Sequence, residues 1–293
     1  MADASVVVVT FNALPWLERS LESVRGHETI VVDHGSTDGT LELVRERFPD
    51  VRVIEQENRG FGGGNNAGMR AAHGRCYLLL NSDAWVVGDG VERLVAYADE
   101  HPDVAVVGPK LFDPDGSLQR SVRGDPTVWR LATEYFFLRK LAPHTQALNA
   151  FYGAGFDHAS TREVESLYGA ALLVRAEAAD TVGLFDEDFF MFSEETDWLH
   201  RFRQAGWKVM FFPEAEVVHV GGASHGGRLF VEILRGILRF VAKHDGRREA
   251  ERARRVLLYA LRLRGLVFRG ERGRRYREGA DFLASGDVRS LIA

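Results

Sequence analysis

Cysteine is nearly absent from this 293-residue sequence, and long hydrophobic runs are absent altogether. The single Cys76 excludes an intramolecular disulfide and a cysteine-based zinc cluster, which is typical of proteins in a reducing compartment. No stretch reaches the roughly 18 uninterrupted apolar residues of a membrane span, and the first residues lack the basic region of a signal peptide. We therefore expect a cytoplasmic protein.

The charge is distributed unevenly along a chain of ordinary composition. Hydrophobic residues make up 45% and charged residues 27%, which excludes a disordered or collagen-like chain, and no internal repeat is present. The net charge is -5, yet residues 228–293 contain 17 lysines and arginines against 8 acids, which leaves about -14 for residues 1–227. The length fits one large α/β core with an additional segment. We expect the acidic body and the basic segment to face different partners.

Strand and helix patterns alternate over the first hundred residues. The predicted strands are SVVVVTFN, TIVVDHGS, VRVIEQ and CYLLLNSD, with helices between them, the second of which Asp38 is predicted to cap. Continuous apolar strands joined by helices predict a mostly parallel sheet that is covered on both faces. Ligands of such sheets gather at the carboxyl ends of the strands, here residues 10–12, 33–36 and 81–83. At the second of these ends, Asp33 is a candidate for base or ribose binding.

A glycine-rich run follows the third predicted strand. Gly62, Gly64 and Ala67 have the spacing of a dinucleotide fingerprint, with Asp83 about twenty residues further on. That fingerprint should follow the first strand of its unit, whereas two complete strand–helix units precede this one, so the context argues against an NAD site. Tight packing of a helix and contact with a phosphate or sugar remain as alternatives. The following "NSD" offers an amide, a hydroxyl and a carboxylate, which suits Mg²⁺ or Mn²⁺.

The acidic sequence SEETDW lies beside the apolar sequence FFMF. Ser193 is predicted to cap a helix that Gly206 ends, with Glu194, Glu195 and Asp197 in its first turn. The helix dipole favours acids there whatever the function, but carboxylates against a desolvating surface also suit a general base. His219, at the end of AEVVHV, fits a partly buried core histidine or a ligand.

The middle of the chain departs from this alternation. DPDGSLQRS has the turn residues of a hairpin. The aromatic-rich residues 128–156 are predicted to form an insertion that covers the site and shapes a second substrate's binding.

Seven motifs occur in an order that resembles a known family. They are VVVVTFN, IVVDHGSTDG, ENRGFGGGNNAG, LLLNSD, GAALLV, FDEDFFMFSEETDW and HVGGAS. Together, over roughly residues 4–225, they resemble the inverting family-2 glycosyltransferases, particularly bacterial rhamnosyltransferases. The resemblance implies a GT-A (Rossmann-like) α/β fold, a mostly parallel sheet flanked by helices. It also implies a catalytic domain over residues 1–227 and a helical C-terminal extension over residues 228–293.

The resemblance further implies a site for a nucleoside-diphosphate sugar, with dTDP-rhamnose as the first candidate donor. Residues 58–66 match the stretch that lies under the donor, so the glycine run would help to hold a nucleotide-sugar. The implied donor-binding residues are Thr10, Asn12, Asp33, Asn58, Gly60, Asn65, Asn81 and Ser82.

The resemblance also implies a metal site and a catalytic base. Asp83 and His219 match ligands of Mg²⁺ or Mn²⁺, whereas Asn81 replaces the first aspartate of the family's D-x-D motif with a weaker, neutral ligand. Glu195 matches the base, with Glu194 and Asp197 as acidic companions. The acceptor would be a hydroxyl of a cell-envelope glycan or glycolipid.

Two other functions are weighed against this one. A nucleotidyltransferase would have a glycine-rich loop with a lysine or arginine after the first strand, and TFNALPW has neither. A non-catalytic sugar-nucleotide-binding protein would bind donor without turnover. A nucleic-acid partner is not expected, because the body is acidic and contains no recognised nucleic-acid motif.

The basic C-terminal segment has two interpretations. RGILRFVAKH and RRVLLYALRLRGLVFRG place apolar residues among arginines. This pattern suits an amphipathic helix on an anionic membrane surface, which would put the protein on the inner face of the membrane. It equally suits a pair of helices that pack on the catalytic domain with a solvated basic face.

Overall fold

The computed structural model describes residues 3–221 and 229–292 of the chain. Within them, the strands are β1 (Ala4–Thr10), β2 (Glu28–Asp33), β3 (Arg52–Glu55), β4 (Cys76–Asn81), β5 (Ala84–Val86), β6 (Val104–Phe112), β7 (Leu118–Gln119), β8 (Val122–Arg123), β9 (Arg162–Glu163), β10 (Ser166–Leu167), β11 (Ala171–Arg175) and β12 (Lys208–His219). The α-helices are α1 (Leu14–Glu22), α2 (Thr40–Arg47), α3 (Gly60–Ala71), α4 (Gly90–Glu100), α5 (Val128–Tyr135), α6 (Gln146–Asn149), α7 (Ala176–Val182), α8 (Glu194–Gln204), α9 (Phe230–His244), α10 (Arg247–Val267), α11 (Gly270–Ala284) and α12 (Val288–Ile292).

The main sheet has the order β3-β2-β1-β4-β11-β6-β12-β5. The pairs β3/β2, β2/β1, β1/β4 and β6/β12 are parallel, whereas β11 runs antiparallel to both of its neighbours and β5 runs antiparallel to β12. The predicted sheet flanked by helices is therefore confirmed. The predicted hairpin is present as β6 and β7, whose turn is closed by Asp113 N donating to Ser117 O at 2.8 Å.

The buried strands explain why one edge of this sheet collects polar groups. Successive side chains of β1 point to opposite faces, so Val6 and Val8 enter one core and Val7 the other. The register sets Thr10 opposite Asp33 and Val9 opposite Asn81, so these parallel strands end together. At the far side, the pairing of His219 with Ala84 brings β12 next to the residues that follow β4.

The glycines of α3 allow the helix to pack closely on β1. A Cβ at Gly64 would lie 2.7 Å from Val9 Cγ1, and a Cβ at Gly68 would lie 2.3 Å from Val7 Cγ1. A Cβ at Gly62 would lie 3.0 Å from Phe185 Cβ. These contacts give Gly62 and Gly64 a role in helix packing, and the expectation that the glycine run lies under a ligand stays a prediction.

Two predicted helix caps differ in detail. Gly39, with φ 95°, is the N-cap of α2, and the preceding Asp38 accepts a hydrogen bond from Thr40 N at 3.1 Å. Ser193 is the N-cap of α8 but has a left-handed φ of 71°, so its hydroxyl makes no capping bond.

The aromatic-rich segment and the C-terminal helices share a third core. Leu131 and Tyr135 of α5 are buried in it with residues of α9, α10, α11 and α12. Arg264 of α10 donates to the carbonyl oxygens of Glu134 and Tyr135 at 2.7 and 2.8 Å. The expectation that this segment covers the site is therefore wrong for its helix α5, because α5 packs on the C-terminal helices.

The inner faces of the C-terminal helices pack on the rest of the protein, as the second interpretation of the basic segment requires. The proposed boundary between residues 227 and 228 lies outside the described residues, as do Gly222, Ala223 and Ser224 of the HVGGAS motif. Among the described helices, none combines the length and hydrophobicity that crossing a bilayer requires.

Candidate active site

A cleft of about 500 Å³ opens at the carboxyl edge of the sheet, where β1, β4 and β12 end and α8 begins. Nine of the predicted site residues line it: Thr10, Asn58, Gly60, Asn81, Ser82, Asp83, Glu194, Glu195 and His219. The remaining lining residues are mostly aromatic or apolar: Val9, Phe11, His34, Phe61, Tyr168, Gly169, Phe190, Met191, Phe192 and Leu229. The cleft thus combines a small set of convergent polar groups with apolar walls, as small-molecule sites do.

His219 and Asp83 form a buried pair on one side of the cleft. The Nε2 atom of His219 lies 3.4 Å from Asp83 Oδ1, and Asn81 Nδ2 donates to the same Nε2 at 3.3 Å. Their side chains are 4% and 8% exposed, so the pair is shielded from bulk water. One imidazole nitrogen and one carboxylate therefore meet at the end of the sheet.

Gln119, which the sequence did not indicate, orients His219. Its Nε2 atom donates to Asp113 Oδ1 at 2.7 Å and to His219 O at 3.2 Å, so its Oε1 atom must face the imidazole. Oε1 accepts from His219 Nδ1 at 2.7 Å. With Nδ1 donating to Gln119, Nε2 is the ring nitrogen that faces Asp83, and Gln119 fixes the orientation of the imidazole.

Glu194 and Glu195, in the first turn of α8, are the other two carboxylates of the cleft. Glu194 is buried, its Oε2 atom has no hydrogen-bond partner among the described residues, and Glu195 is partly buried. Burial, together with the charge of Glu195, raises the pKa of Glu194 well above its ordinary value. Burial also raises the pKa of Glu195, while backbone N–H groups at the start of α8 and the charge of Arg123 oppose that rise.

Thr10 and Gly60 shape the part of the cleft next to β1. The Thr10 hydroxyl is buried and has no hydrogen-bond partner within the described ranges, so it is available to a ligand. Gly60 has φ 76°, and a Cβ there would lie 1.9 Å from Phe190 O. Only glycine fits this position, where Phe61 N donates to the same carbonyl at 3.0 Å. Asn58 Oδ1 accepts from Gly60 N at 3.0 Å and thereby starts α3.

Three predicted donor-binding residues do not line the cleft. Asp33 is buried, and its Oδ2 atom accepts from the N–H groups of Gly35 and Ser36 at 2.8 and 2.9 Å. Asn12 Oδ1 accepts from Thr37 N at 2.8 Å, which joins the loops after β1 and β2. Asn65 Nδ2 donates to Phe61 O within α3. The prediction of direct donor contact does not fit these placements, because each side chain is committed to its own loop or helix.

Asp197 also does not line the cleft. Its fully buried carboxylate accepts from Arg201 Nε at 2.9 Å, Lys243 Nζ at 2.8 Å and His244 Nε2 at 2.7 Å. It lies three residues from Glu194, on a face of α8 that packs against α9. A catalytic role does not fit this placement, because the side chain binds α8 to α9.

Tyr168 and His34 were not predicted from the sequence, whereas Phe190, Met191 and Phe192 of the predicted apolar surface FFMF do line the cleft. Tyr168 precedes Gly169 in the YGAALLV run, and its ring lies 5.8 Å from that of His219. His34 faces the cleft in place of Asp33, and burial lowers its pKa, which favours the neutral ring. A polar or aromatic residue directly beside a predicted strand end was the available signal.

The sheet order, with an Asp–His pair and two adjacent glutamates in one cleft at its carboxyl edge, is that of a GT-A glycosyltransferase. Residues 5–165 match the family model Glycosyl transferase family 2, and the chain belongs to that family. The predicted glycosyltransferase (EC 2.4) is thus confirmed, and the nucleotidyltransferase and non-catalytic alternatives are not supported.

Sequence and structural relatives agree with this assignment. The chain is 33% identical over 245 residues to the N-acetylglucosaminyl-diphospho-decaprenol L-rhamnosyltransferase of Mycobacterium tuberculosis, covering 75% of this chain and 77% of that protein. It superposes on GalNAc-T7 crystallised with UDP, GalNAc and Mn²⁺ with a TM-score of 0.61 at 18% identity, covering 100% and 56% of the two chains. It also superposes on the mannosyltransferase PcManGT from Pyrobaculum calidifontis, in complex with GDP-Man and Mn²⁺. The TM-score is 0.57 at 18% identity, and the match covers 99% of this chain and 83% of that chain.

Proposed function

We propose that the protein is a metal-dependent inverting glycosyltransferase that moves rhamnose from dTDP-rhamnose to a sugar hydroxyl. The acceptor sugar is carried on a lipid diphosphate of the cell envelope. The mycobacterial relative supports both parts, since its name describes a rhamnosyltransferase acting on N-acetylglucosaminyl-diphospho-decaprenol. The observation that carries the chemistry is that Glu194 and Glu195 line the same cleft as the Asp83–His219 pair.

Asp83 and His219 are the proposed ligands of Mg²⁺ or Mn²⁺. The residues fit such an ion, because the Nε2 atom of His219 and an Asp83 oxygen already converge, and divalent ions of this kind commonly take one or two protein ligands plus substrate phosphates. When bound, the ion stabilises the negative charge that grows on the departing diphosphate. Asn81 contributes a neutral amide beside them, which is consistent with a ligand set completed by the donor itself.

Glu195 is the proposed general base. It removes the proton from the acceptor hydroxyl as that oxygen attacks the anomeric carbon opposite the departing diphosphate, and this single displacement inverts the centre. Burial raises the pKa of Glu195, which makes the carboxylate a stronger base than an exposed glutamate. Burial and the charge of Glu195 raise the pKa of Glu194 well above its ordinary value, and no cation pairs with it among the described residues, so protonation is favoured on Glu194 and ionisation on Glu195.

The donor is proposed to lie along the ends of β1 and β4. Thr10, Asn58, Gly60, Asn81 and Ser82 line that part of the cleft. The free Thr10 hydroxyl and the close backbone approach at Gly60 support contact with the nucleotide. Asn12 and Asp33 act indirectly by holding the two loops that frame this part.

A thermal-shift screen of sugar nucleotides, with and without Mg²⁺ or Mn²⁺, tests the donor and the metal together. A ligand that binds only the folded protein raises its melting temperature by mass action. We expect stabilisation by dTDP-rhamnose that is larger with metal, followed by transfer to a lipid-diphosphate acceptor with inversion. Stabilisation by a different nucleotide-sugar would replace the donor, and metal-independent binding and turnover would contradict the metal proposal.

We further propose that one face of α10 rests on an anionic lipid surface, which places the enzyme at the membrane where such an acceptor resides. Basic residues, mostly in its first half, and apolar residues towards its C-terminal end share this exposed stripe: Arg252, Arg255, Tyr259, Arg262, Leu263, Leu266 and Val267. Leu266 is 85% and Val267 66% exposed, although the opposite side of α10 is buried. Exposed leucines flanked by arginines match lipid tails and anionic headgroups together.

Liposome flotation tests the α10 surface. We expect the full chain to float with anionic vesicles and not with neutral ones, and Leu263→Ser with Leu266→Ser to abolish flotation. Val87→Ser is the matched control, since Val87 is an exposed apolar residue of the catalytic part, 43% exposed. Equal flotation of the α10 variant and wild type would contradict the proposal.

A further inference from the structure

Arg123 lies beside the acid-lined side of the cleft because of a small second sheet. β8 pairs with β10 in antiparallel fashion, which sets Arg123 opposite Ser166. Tyr168, which follows β10, donates from its backbone N–H to Ser121 O at 2.8 Å. This small sheet therefore holds Arg123 next to Tyr168, a residue of the cleft wall.

The guanidinium of Arg123 has no carboxylate partner in residues 3–221 and 229–292. Its Nη1 atom donates to the carbonyl oxygens of Arg120 and Val122 at 3.0 Å each, and no carboxylate lies within ion-pair distance in the described part of the chain. Burial lowers the pKa of Arg123, although an arginine keeps its charge at any physiological pH. Nearby Arg130 and Arg203, in contrast, are neutralised by Glu165 and Asp125.

Two tyrosine rings flank this unpaired cation. The Arg123 guanidinium carbon lies 4.7 Å from the ring centroid of Tyr152 and 5.8 Å from that of Tyr168. The rings hold the group in place and leave its Nε and Nη2 atoms without hydrogen-bond partners among the described residues. A fixed guanidinium with a free donor edge is suited to phosphate oxygens, which it binds through two parallel hydrogen bonds.

Arg123 approaches the proposed base through Tyr168, whose ring centroid lies 5.8 Å from its guanidinium carbon. A Cβ at Gly169, next to Tyr168, would lie 3.7 Å from Glu195 Cβ, and the charge of Arg123 lowers the pKa of Glu195. The donor diphosphate is assigned to the Asp83–His219 side, so an anion at Arg123 belongs to the other substrate. Tyr152 also lines a cavity of about 430 Å³ in which Arg264, Arg272 and Arg275 outnumber two acids, Glu134 and Glu271.

We propose that Arg123 binds the diphosphate of the acceptor and thereby positions the acceptor hydroxyl at Glu195. This inference rests on the proposed function for the assignment of Glu195 as the base. The ligand chemistry is that of a diphosphate ester, held between Tyr152 and Tyr168 by the free edge of the guanidinium. Arg123 is thus a specificity residue for acceptors that carry a phosphate next to the reacting sugar.

Direct binding of geranyl diphosphate, measured by calorimetry in EDTA, tests this site without the donor reaction. The chelator removes any cation that could hold a diphosphate at Asp83 and His219. We expect Arg123→Gln to bind about 10- to 100-fold more weakly than wild type, the range for losing hydrogen bonds to a charged group. Geraniol should bind weakly and equally to both, and inorganic pyrophosphate more weakly than the ester.

Arg120→Gln is the matched control, because Arg120 is an exposed arginine three residues away and should bind like wild type. Arg123→Lys keeps the charge if Arg123→Gln does not fold, and it should lose about tenfold because lysine lacks the planar fork. Equal affinity of wild type and either Arg123 variant, or no binding by wild type, would overturn the proposal.

Kinetics with two acceptors separates binding from tuning of the base. We expect Arg123→Gln to raise KM for a diphosphate-linked acceptor and to leave KM for an uncharged alkyl glycoside unchanged. A fall in kcat with both acceptors, unchanged KM and a shifted acid limb of the pH profile would show that Arg123 only tunes Glu195, and it would overturn the proposal. A wild type that binds the ester through Arg123 but transfers no sugar would contradict the proposed function alone.

Discussion

The first turn of α8 contains carboxylates in opposite surroundings. Glu194 and Glu195 face the cleft with no cation within ion-pair distance among the described residues, and burial raises the pKa of both. Asp197, one helical turn further, is buried among Arg201, Lys243 and His244. A cluster of acids in sequence therefore divides into a reactive part and a structural part, and the cation partners distinguish them.

The physical basis of this division is the cost of burying a charge. A buried carboxylate is stable when cations and hydrogen bonds surround it, as at Asp197, and otherwise it tends to take up a proton, as at Glu194. Within the described part of the chain, the Thr10 hydroxyl also has no hydrogen-bond partner and the Arg123 guanidinium has no carboxylate partner. At the α8–α9 contact, by comparison, the Asp197 carboxylate is surrounded by Arg201, Lys243 and His244. We therefore assign this contact a role in stability.

Glu195→Gln tests the reactive side most strongly. We expect kcat to fall by about 10²- to 10⁴-fold, since an amide cannot accept the acceptor proton, while donor binding is retained. Glu194→Gln is the matched control and should keep kcat within about tenfold, because glutamine resembles a protonated glutamate. Near-normal turnover of Glu195→Gln would show that Glu195 is not the base. The distinction between reactive and structural acids in α8 would then fail.

Asp197→Ala tests the structural side. We expect a loss of about 3 kcal/mol in the free energy of unfolding, the lower end for breaking a buried ion pair, because Lys243 keeps its bond to Asp186 at 2.6 Å. Chemical denaturation measures it. Asp188→Ala, which removes a mostly exposed carboxylate 3.6 Å from Arg239, should cost less than about 1 kcal/mol. If Asp197→Ala loses activity but keeps its stability, Asp197 has a catalytic and not a structural role.

Gln119→Leu tests whether the His219 part of the cleft is organised for a metal. Loss of the bond that holds the His219 tautomer should weaken Mn²⁺ binding by about 10-fold or more, as for other groups behind metal ligands. Electron paramagnetic resonance of free Mn²⁺ measures the affinity. Gln204→Leu, which removes a glutamine bonded to the exposed edge of His200, should have no effect. Unchanged Mn²⁺ affinity in Gln119→Leu would contradict the assigned role of Gln119.

Glu194→Gln has a second, smaller effect, on stability as a function of pH. The folded-state pKa of Glu194 is raised, so its contribution to stability is complete below the ordinary carboxyl value and is lost as pH rises through the folded value. Glutamine does not titrate, so the melting temperature of Glu194→Gln should gain on wild type as pH increases from about 5. If the difference in melting temperature between wild type and Glu194→Gln is the same at every pH, Glu194 has an ordinary pKa in the folded protein.

Strand ends were predictable from the sequence, and helix faces were not. The apolar runs predicted β1 and β4, and parallel pairing necessarily placed Thr10, Asn81 and Asp83 at one edge. Asn65 and Asp197 were assigned to the site because they occur within motifs, but α3 and α8 turn their side chains away from the cleft. Gln119 and Arg123 could not be predicted from local sequence, because their roles depend on contacts with residues far away in the chain.

The sequence by itself determined the alternating strands and helices, the family, and the edge at which polar groups collect, since hydrophobic periodicity and local turn chemistry act over a few residues. Only the tertiary structure decided which charges are paired. His219 meets Asp83 through the pairing of β12 with β5, and Asp197 meets His244 through the packing of α9 on α8. The strength of an electrostatic interaction depends on distance and burial in space, and separation along the chain specifies neither.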